Sequence, residues 1–270
     1  MKPLFKLLDT VAPGFAAKEV YRVMSNPRIR KLRDFEETVL DRAEKKRIPF
    51  GKFEIQTYAW GNPEHKSVFL IHGWEGQAGN FGALVDVLLE KEYYVQAFDG
   101  PSHGKSSIGK TNMFEFVDLV EMLLKKYQPE SVVSHSFGSV TSVIALGRNP
   151  QIQVKKWMLV TTPHNFRNRI KQVSEFLGLT DRTVSKVIDQ LESNTQMRID
   201  EMNMAYYGPK VSHVEEITIV HSQSDKVIPI ESARFTHQQM PQSTLYELDG
   251  MGHYAILWSN ELKNIVISCL

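Results

Sequence analysis

The sequence predicts an α/β fold, a doubly wound and mostly parallel sheet that carries a small helical insertion. Three observations predict it. Short β-branched runs alternate with helical stripes from residue 51 onward. Several of those runs are continuously apolar, as strands covered on both faces must be. One interval, between a strand ending near Thr161 and another beginning near Glu216, far exceeds the ~2 to 6 residues of an ordinary connection.

The expected strands are Lys52–Ala59, Ser67–His72, Tyr94–Phe98, Ser131–Ser134, Trp157–Thr161, Glu216–His221 and Thr244–Leu248. Between them, Phe81, Leu84, Val85 and Leu88 follow a helical period after Asn80 as a cap, and Phe116, Val117, Val120, Leu123 and Leu124 do the same. In the long interval, Phe166, Ile170, Val173 and Leu177, then Val184, Val187, Ile188 and Leu191, form two more helical stripes. The insertion is therefore expected to be a helical cap. Residues 51–163 and 215–270 form the expected core domain and 164–214 the cap. Residues 1–50 are expected to be an N-terminal helical segment packed on the core, with the charged stretch Arg28 to Arg47 read as a solvated helix.

Composition excludes several classes of function. The chain has 270 residues, 42% of them hydrophobic, enough for a substantial core, and 32 basic against 31 acidic residues leave a formal charge of +1. No global field draws it to nucleic acid or anionic lipid, so neither partner is implied. The single cysteine, Cys269, forms no intramolecular disulfide, which makes a cytoplasmic location the expectation. Leu4, Phe5, Leu7 and Leu8 form an apolar stripe, but Lys6 and Asp9 interrupt it, so no signal peptide is expected. No stretch reaches the roughly 18 to 20 apolar residues of a membrane span. Metal-ligand spacings, a phosphate loop and a dinucleotide fingerprint are missing from the sequence, so no cofactor and no metal are implied.

Chemistry concentrates in a few segments. Val132-Val133-Ser134-His135-Ser136-Phe137-Gly138-Ser139-Val140 reads as a β-run, a small-x-Ser-x-small turn and a helix, the pattern of a nucleophile elbow. The turn is so tight that the residues two before and two after the serine must be small, and here they are Ser134 and Gly138. Ser134 departs from the commoner glycine. Val68-Phe69-Leu70-Ile71-His72-Gly73-Trp74-Glu75-Gly76 is a buried strand opening into a loop, and Phe98-Asp99-Gly100-Pro101-Ser102-His103-Gly104-Lys105-Ser106 ends the next strand.

At these residues the chain resembles the α/β-hydrolase superfamily, from about residue 52 to its end. The resemblance implies the α/β-hydrolase fold, with the cap inserted after the sixth strand when Ser67–His72 is counted as the third. It implies two backbone N–H donors for an oxyanion, those of Trp74 and Phe137, and a serine, acid, histidine order along the chain. Ser136 is then the nucleophile. A serine hydroxyl needs a base, and Leu248-Asp249-Gly250-Met251-Gly252-His253-Tyr254 puts His253 where the superfamily carries its catalytic histidine. The acid that orients that base is expected to be Asp225, in the loop His221-Ser222-Gln223-Ser224-Asp225-Lys226-Val227-Ile228-Pro229. Asp249 remains a competitor, four residues before the base, where stabilising its own loop is the simpler role. His72, His103 and His135 lie in tight turns and are read as shaping groups. His135, Met204, Tyr207 and Met251 are the expected substrate-contacting residues.

A serine at the elbow points to acyl-enzyme chemistry and away from the aspartate-based dehalogenases and epoxide hydrolases of the superfamily. The expected function is a carboxylesterase acting on a small-molecule ester. Thioesterase, lactonase, carbon–carbon bond hydrolase and perhydrolase activities use the same triad, and a low-turnover ligand-binding protein is the alternative from another class.

Overall fold

In the structure, a computed structural model that describes residues 9–28, 31–193 and 197–270, eight strands form one sheet in the order β1-β2-β4-β3-β5-β6-β7-β8. The strands are β1 (Glu44–Phe50), β2 (Phe53–Trp60), β3 (Ser67–Ile71), β4 (Tyr94–Phe98), β5 (Ser131–His135), β6 (Lys156–Val160), β7 (Glu216–Ser222) and β8 (Ser243–Leu248). β1 pairs antiparallel with β2, and β2 antiparallel with β4. Every other pairing is parallel. The helices are α1 (Pro13–Met24), α2 (Asp34–Asp41), α3 (Gly82–Glu90), α4 (Met113–Tyr127), α5 (Phe137–Arg148), α6 (Phe166–Leu177), α7 (Asp181–Glu192), α8 (Met204–Tyr207), α9 (Ile230–Gln239) and α10 (Asn260–Cys269).

The continuous apolar runs are strands because both faces of the sheet are covered. Phe69, Ile71, Val132, Trp157 and Leu159 point into a core with α4 and α5, while Val68, Leu70, Val133, Met158 and Val160 point into a second core with α3 and α10. Alternation along each strand thus sorts side chains between two apolar layers instead of between core and water. From β3 the chain passes to β4 on one side and then to β5 on the other. The sheet's switch point therefore lies at β3 and β5, where a crevice opens at the carboxyl ends of the strands.

The N-terminal fifty residues differ from expectation. Among the described residues of the charged stretch only Asp34–Asp41 is helical, and Glu44–Arg47 begins β1, an edge strand with a mostly exposed face. Charged side chains suit such an edge, because they oppose pairing with another chain. Asn80 is not a helix cap. Its Oδ1 accepts from the Gln77 N–H at 2.9 Å, and its amide donates to the buried Glu36 carboxylate at 2.8 Å, tying α2 to the turn before α3. Leu4, Phe5, Leu7 and Leu8 lie outside the described residues.

Between β6 and β7 stand α6, α7 and the short α8. Asn165 starts α6 by accepting from the Asn168 N–H at 2.7 Å, and Gly178 ends it at a φ of 76°. α1 packs on α7, and Asp9 accepts from the Thr180 N–H and hydroxyl at 3.1 and 3.0 Å. Among the described residues no helix is long and apolar enough to cross a membrane.

Candidate active site

The turn from β5 into α5 places Ser136 at φ 55° and ψ −123°, a backbone conformation that L residues rarely adopt. The surroundings enforce it. Gly138 sits so close to β3 that a Cβ there would lie 2.4 Å from the Ile71 carbonyl oxygen and 2.8 Å from that of His72. Ser134, which replaces the commoner glycine, is fully buried, accepts from the Trp157 indole N–H at 2.9 Å and meets the Ser139 hydroxyl at 3.0 Å. Its extra atom is accommodated by two hydrogen bonds that a glycine would not make.

Ser136 converges on one point with Asp225 and His253, which lie 89 and 117 residues from it in sequence. His253 Nε2 lies 3.0 Å from Ser136 Oγ, and His253 Nδ1 lies 2.7 Å from Asp225 Oδ2. A carboxylate only accepts, so Nδ1 carries the imidazole proton and Nε2 offers its lone pair to the serine hydroxyl. The other Asp225 oxygen, Oδ1, accepts from the Val227 and Ile228 N–H groups at 2.7 and 3.0 Å. Burial pushes the Asp225 carboxyl up, but the hydrogen bond and charge of His253 and the two backbone donors outweigh it and hold the group below its ordinary range. Asp249, the competitor, is bound to its own loop, accepting from the Gly250 N–H at 2.7 Å and from the Ser224 hydroxyl.

Phe137 is the first residue of α5, so its N–H has no acceptor within the helix and sits at the positive end of the helix dipole. Gly73 brings the loop after β3 against this point: a Cβ there would stand 2.9 Å from Ser136 Cβ and 3.3 Å from Phe137 N. Trp74 follows, its indole edge-on to Phe137 with ring centroids 6.1 Å apart and to His103 at 5.1 Å. His72 braces the loop from below. It donates from Nδ1 to the Gly73 carbonyl at 2.7 Å and accepts at Nε2 from the Gly100 N–H at 2.9 Å. Asp99, from the companion turn, accepts from the Ala78 N–H, the Lys105 N–H and the Tyr58 hydroxyl, each at 2.8 Å. The shaping roles expected of His72 and His103 match these contacts.

Ser136 and His253 open onto a cavity of about 500 Å³. Its apolar wall includes Trp74, Met113, Phe137, Phe166, Val173 and Tyr254. On another side His164, whose Nδ1 is 2.9 Å from Ser232 Oγ and whose Nε2 is 3.1 Å from Asn168 Nδ2, links the insertion to α9. None of the four expected substrate-contacting residues lines this cavity. His135 is buried beneath it, bonded to the His253 carbonyl. Met204 is fully buried. Tyr207 packs against Gly147 on α5, with its hydroxyl toward Arg148. Met251 packs into the core on the α3 and α10 side. Met204 and Tyr207 therefore pack on the body of the molecule, and the walls come instead from α6, the start of α4 and the loop after Asp225. The apolar stripe of α6 was legible in the sequence. Its place beside the serine was not, because periodicity does not encode the direction of a helix. Among the described residues no cluster of three or more His, Cys, Asp or Glu side chains is arranged to hold a metal ion.

Comparison with known proteins agrees with this fold. Residues 62–213 match the family model described as serine aminopeptidase, S33. A human protein named serine hydrolase-like protein is 31% identical over 122 residues, which are 43% of this chain and 58% of that protein. A relative from Drosophila melanogaster aligns over 29% of its own length, so the chain spans well under two thirds of these relatives. Among solved structures, the thioesterase domain from the curacin biosynthetic pathway superposes with a TM-score of 0.63 at 19% identity, covering 83% of this chain and 99% of that one. Carboxylesterase from the thaumarchaeon Nitrososphaera gargenis gives a TM-score of 0.62 at 15% identity, covering 83% and 97%.

Proposed function

Because the chain belongs to the serine aminopeptidase, S33, family of α/β-hydrolase serine hydrolases, we propose that it hydrolyses small to medium acyl esters through an acyl-enzyme on Ser136. The observation that carries this reading is the directed relay at the elbow, 3.0 Å from Ser136 Oγ to His253 Nε2 and 2.7 Å from His253 Nδ1 to Asp225. His253 takes the hydroxyl proton as Ser136 attacks the carbonyl carbon. The backbone N–H groups of Trp74 and Phe137 receive the oxyanion. As the tetrahedral intermediate collapses, His253 gives the proton to the departing alcohol, and a water activated by the same nitrogen then releases the acid. Asp225 holds the tautomer and stabilises the imidazolium without taking the proton. The apolar wall of Met113, Phe137, Phe166 and Val173 suits an acyl chain, and a cavity of about 500 Å³ suits a short to medium one.

Amide hydrolysis is the second reading, favoured by the description of the family itself. Esters come first because a free peptide amine calls for an anion beside the nucleophile. Of the two glutamates lining the cavity, Glu75 accepts from the Arg28 N–H at 2.7 Å and faces its guanidinium at 3.9 Å, and Glu231 faces the Arg234 guanidinium at 3.9 Å. Turnover of p-nitrophenyl esters of two to ten carbons, run beside aminoacyl p-nitroanilides, decides between them. Ester turnover at least about 100-fold above anilide turnover, lost in Ser136→Ala, is expected. Anilide turnover that dominates would overturn the ester reading.

A further inference from the structure

His135 stands immediately before the serine, and its side chain is 1% exposed and far from any solvent partner. Its Nε2 lies 2.9 Å from the backbone carbonyl oxygen of His253. A carbonyl oxygen only accepts, so His135 Nε2 carries a proton and donates it. The ring also lies on the ring of His253, with centroids 4.9 Å apart, and on that of Tyr254 at 5.4 Å.

The loop that carries His253 is held at Gly250 and Met251, whose N–H groups donate to Ser224 Oγ at 3.2 Å and Ser222 Oγ at 3.3 Å, whereas His135 bonds the backbone of His253 itself. The loop runs from Gly250, at φ 79°, through Gly252, neither of which has any neighbour within 4 Å of an added Cβ, so packing at these two glycines does little to fix its course. Yet the ring nitrogen must stay at 3.0 Å from Ser136 Oγ. A displacement of about 1 Å at a reacting group can cost about 100-fold in rate.

We propose, resting on the assignment of Ser136 and His253 above, that His135 is a positioning residue that locks the base to the nucleophile through its Nε2–H···O=C bond to His253. The contacts close a ring: Ser136 Oγ to His253 Nε2, His253 carbonyl to His135 Nε2, and His135 to Ser136 through one peptide bond. Base and nucleophile thus share one rigid turn, and movement of the loop cannot separate them without breaking a buried hydrogen bond. Burial, and not this contact, keeps His135 neutral. Burial drives its pKa down to about 3, with the nearby His253 adding to the effect, against a smaller upward pull from the carbonyl. A neutral ring does not compete with His253 for the carboxylate of Asp225.

His135→Leu keeps bulk and removes the donor, whereas His135→Gln places an amide N–H at a similar reach. Each is measured for kcat and KM on the best ester. Each is also examined by proton NMR for the downfield His253 Nδ1–H signal of the bond to Asp225, which does not depend on turnover, and by circular dichroism for folding. In His135→Leu, kcat should fall about 10- to 100-fold with KM within about twofold, and the downfield signal should broaden or vanish. Glutamine should restore the signal and bring kcat to within about threefold of the native protein. Equal kcat in His135→Leu and the native protein, or glutamine as impaired as leucine in a folded protein, would overturn the proposal while leaving the triad intact. A native protein that shows neither turnover nor the downfield signal would overturn both assignments. If the leucine variant does not fold, the glutamine variant alone decides: a lost signal and depressed kcat count against the brace.

Discussion

Asp225 makes three hydrogen bonds, and only one of them concerns the base. Asp225→Asn preserves size but presents an amide whose N–H can face His253, which reverses the tautomer and turns the ring's proton toward Ser136. Loss of about 10³- to 10⁴-fold in kcat is expected, with thermal stability changed much less, as checked by steady-state kinetics beside a melting curve. Gly73 is the second sensitive residue. A methyl group there would stand 2.9 Å from Ser136 Cβ and 3.1 Å from the His135 carbonyl oxygen, so Gly73→Ala pushes the Trp74 loop away from Phe137 N. Losing one oxyanion donor costs about 10²- to 10³-fold, and Gly73→Ala should lose that much in kcat on esters while His253 and Asp225 remain bonded. Ser134 answers a different question. If its hydroxyl serves the Trp157 indole, Ser134→Ala leaves a buried donor unpaired and costs about 1 to 3 kcal/mol in urea unfolding.

At the scale of elements, α6 supplies part of the cavity wall, since Phe166 and Val173 both line it. Val173→Trp should shift preference toward shorter acyl chains by two or more carbons without abolishing acetate ester turnover, and an unchanged chain-length profile would separate the insertion from acyl selection. The same elements show what a sequence reveals. β3, β5, β6 and β7 were legible because fully covered strands are continuous apolar runs. The elbow was legible because one tight turn restricts residue size at two fixed offsets. β1 was hidden: Glu44-Lys45-Lys46-Arg47 belongs to an edge strand whose exposed charges resemble a solvated helix. The convergence of Ser136, His253 and Asp225 could be read from loops that follow particular strands, since strand order fixes where those loops end. The cavity could not, because its walls come from the start of α4, the segment before α6, the loop after Asp225 and Tyr254. Their convergence depends on helix directions that periodicity does not encode. Met204 and Tyr207 carry the right composition for an acyl pocket, yet their helix α8 faces α5 and α9.

For the molecule as a whole, buried histidines link stability to pH. His72, His135 and His221 are all buried, and burial is the largest influence lowering each from the ordinary value of 6.5. Their folded pKa values lie below the unfolded ones, so the unfolded chain binds more protons in acid. Stability is therefore fully present above about pH 6.5 and is lost as pH falls through the window beneath it, by up to about 1.4 kcal/mol per pH unit for each histidine. Asp225, also lowered, adds to the loss only below its ordinary value of 3.8. Urea midpoints should be flat from pH 7 to 8 and fall steeply from pH 6 to 4.5, and a midpoint unchanged across that acid range would contradict the neutral buried rings. The relay at Ser136 is the point on which sheet, elbow, base loop and acid loop all converge. Labelling with a fluorophosphonate, followed by mass spectrometry of the modified peptide, tests it most directly. A single adduct on Ser136 is expected, forming rapidly in the native protein and at least about 100-fold more slowly in His253→Ala. No adduct, or an adduct on another residue, would contradict it.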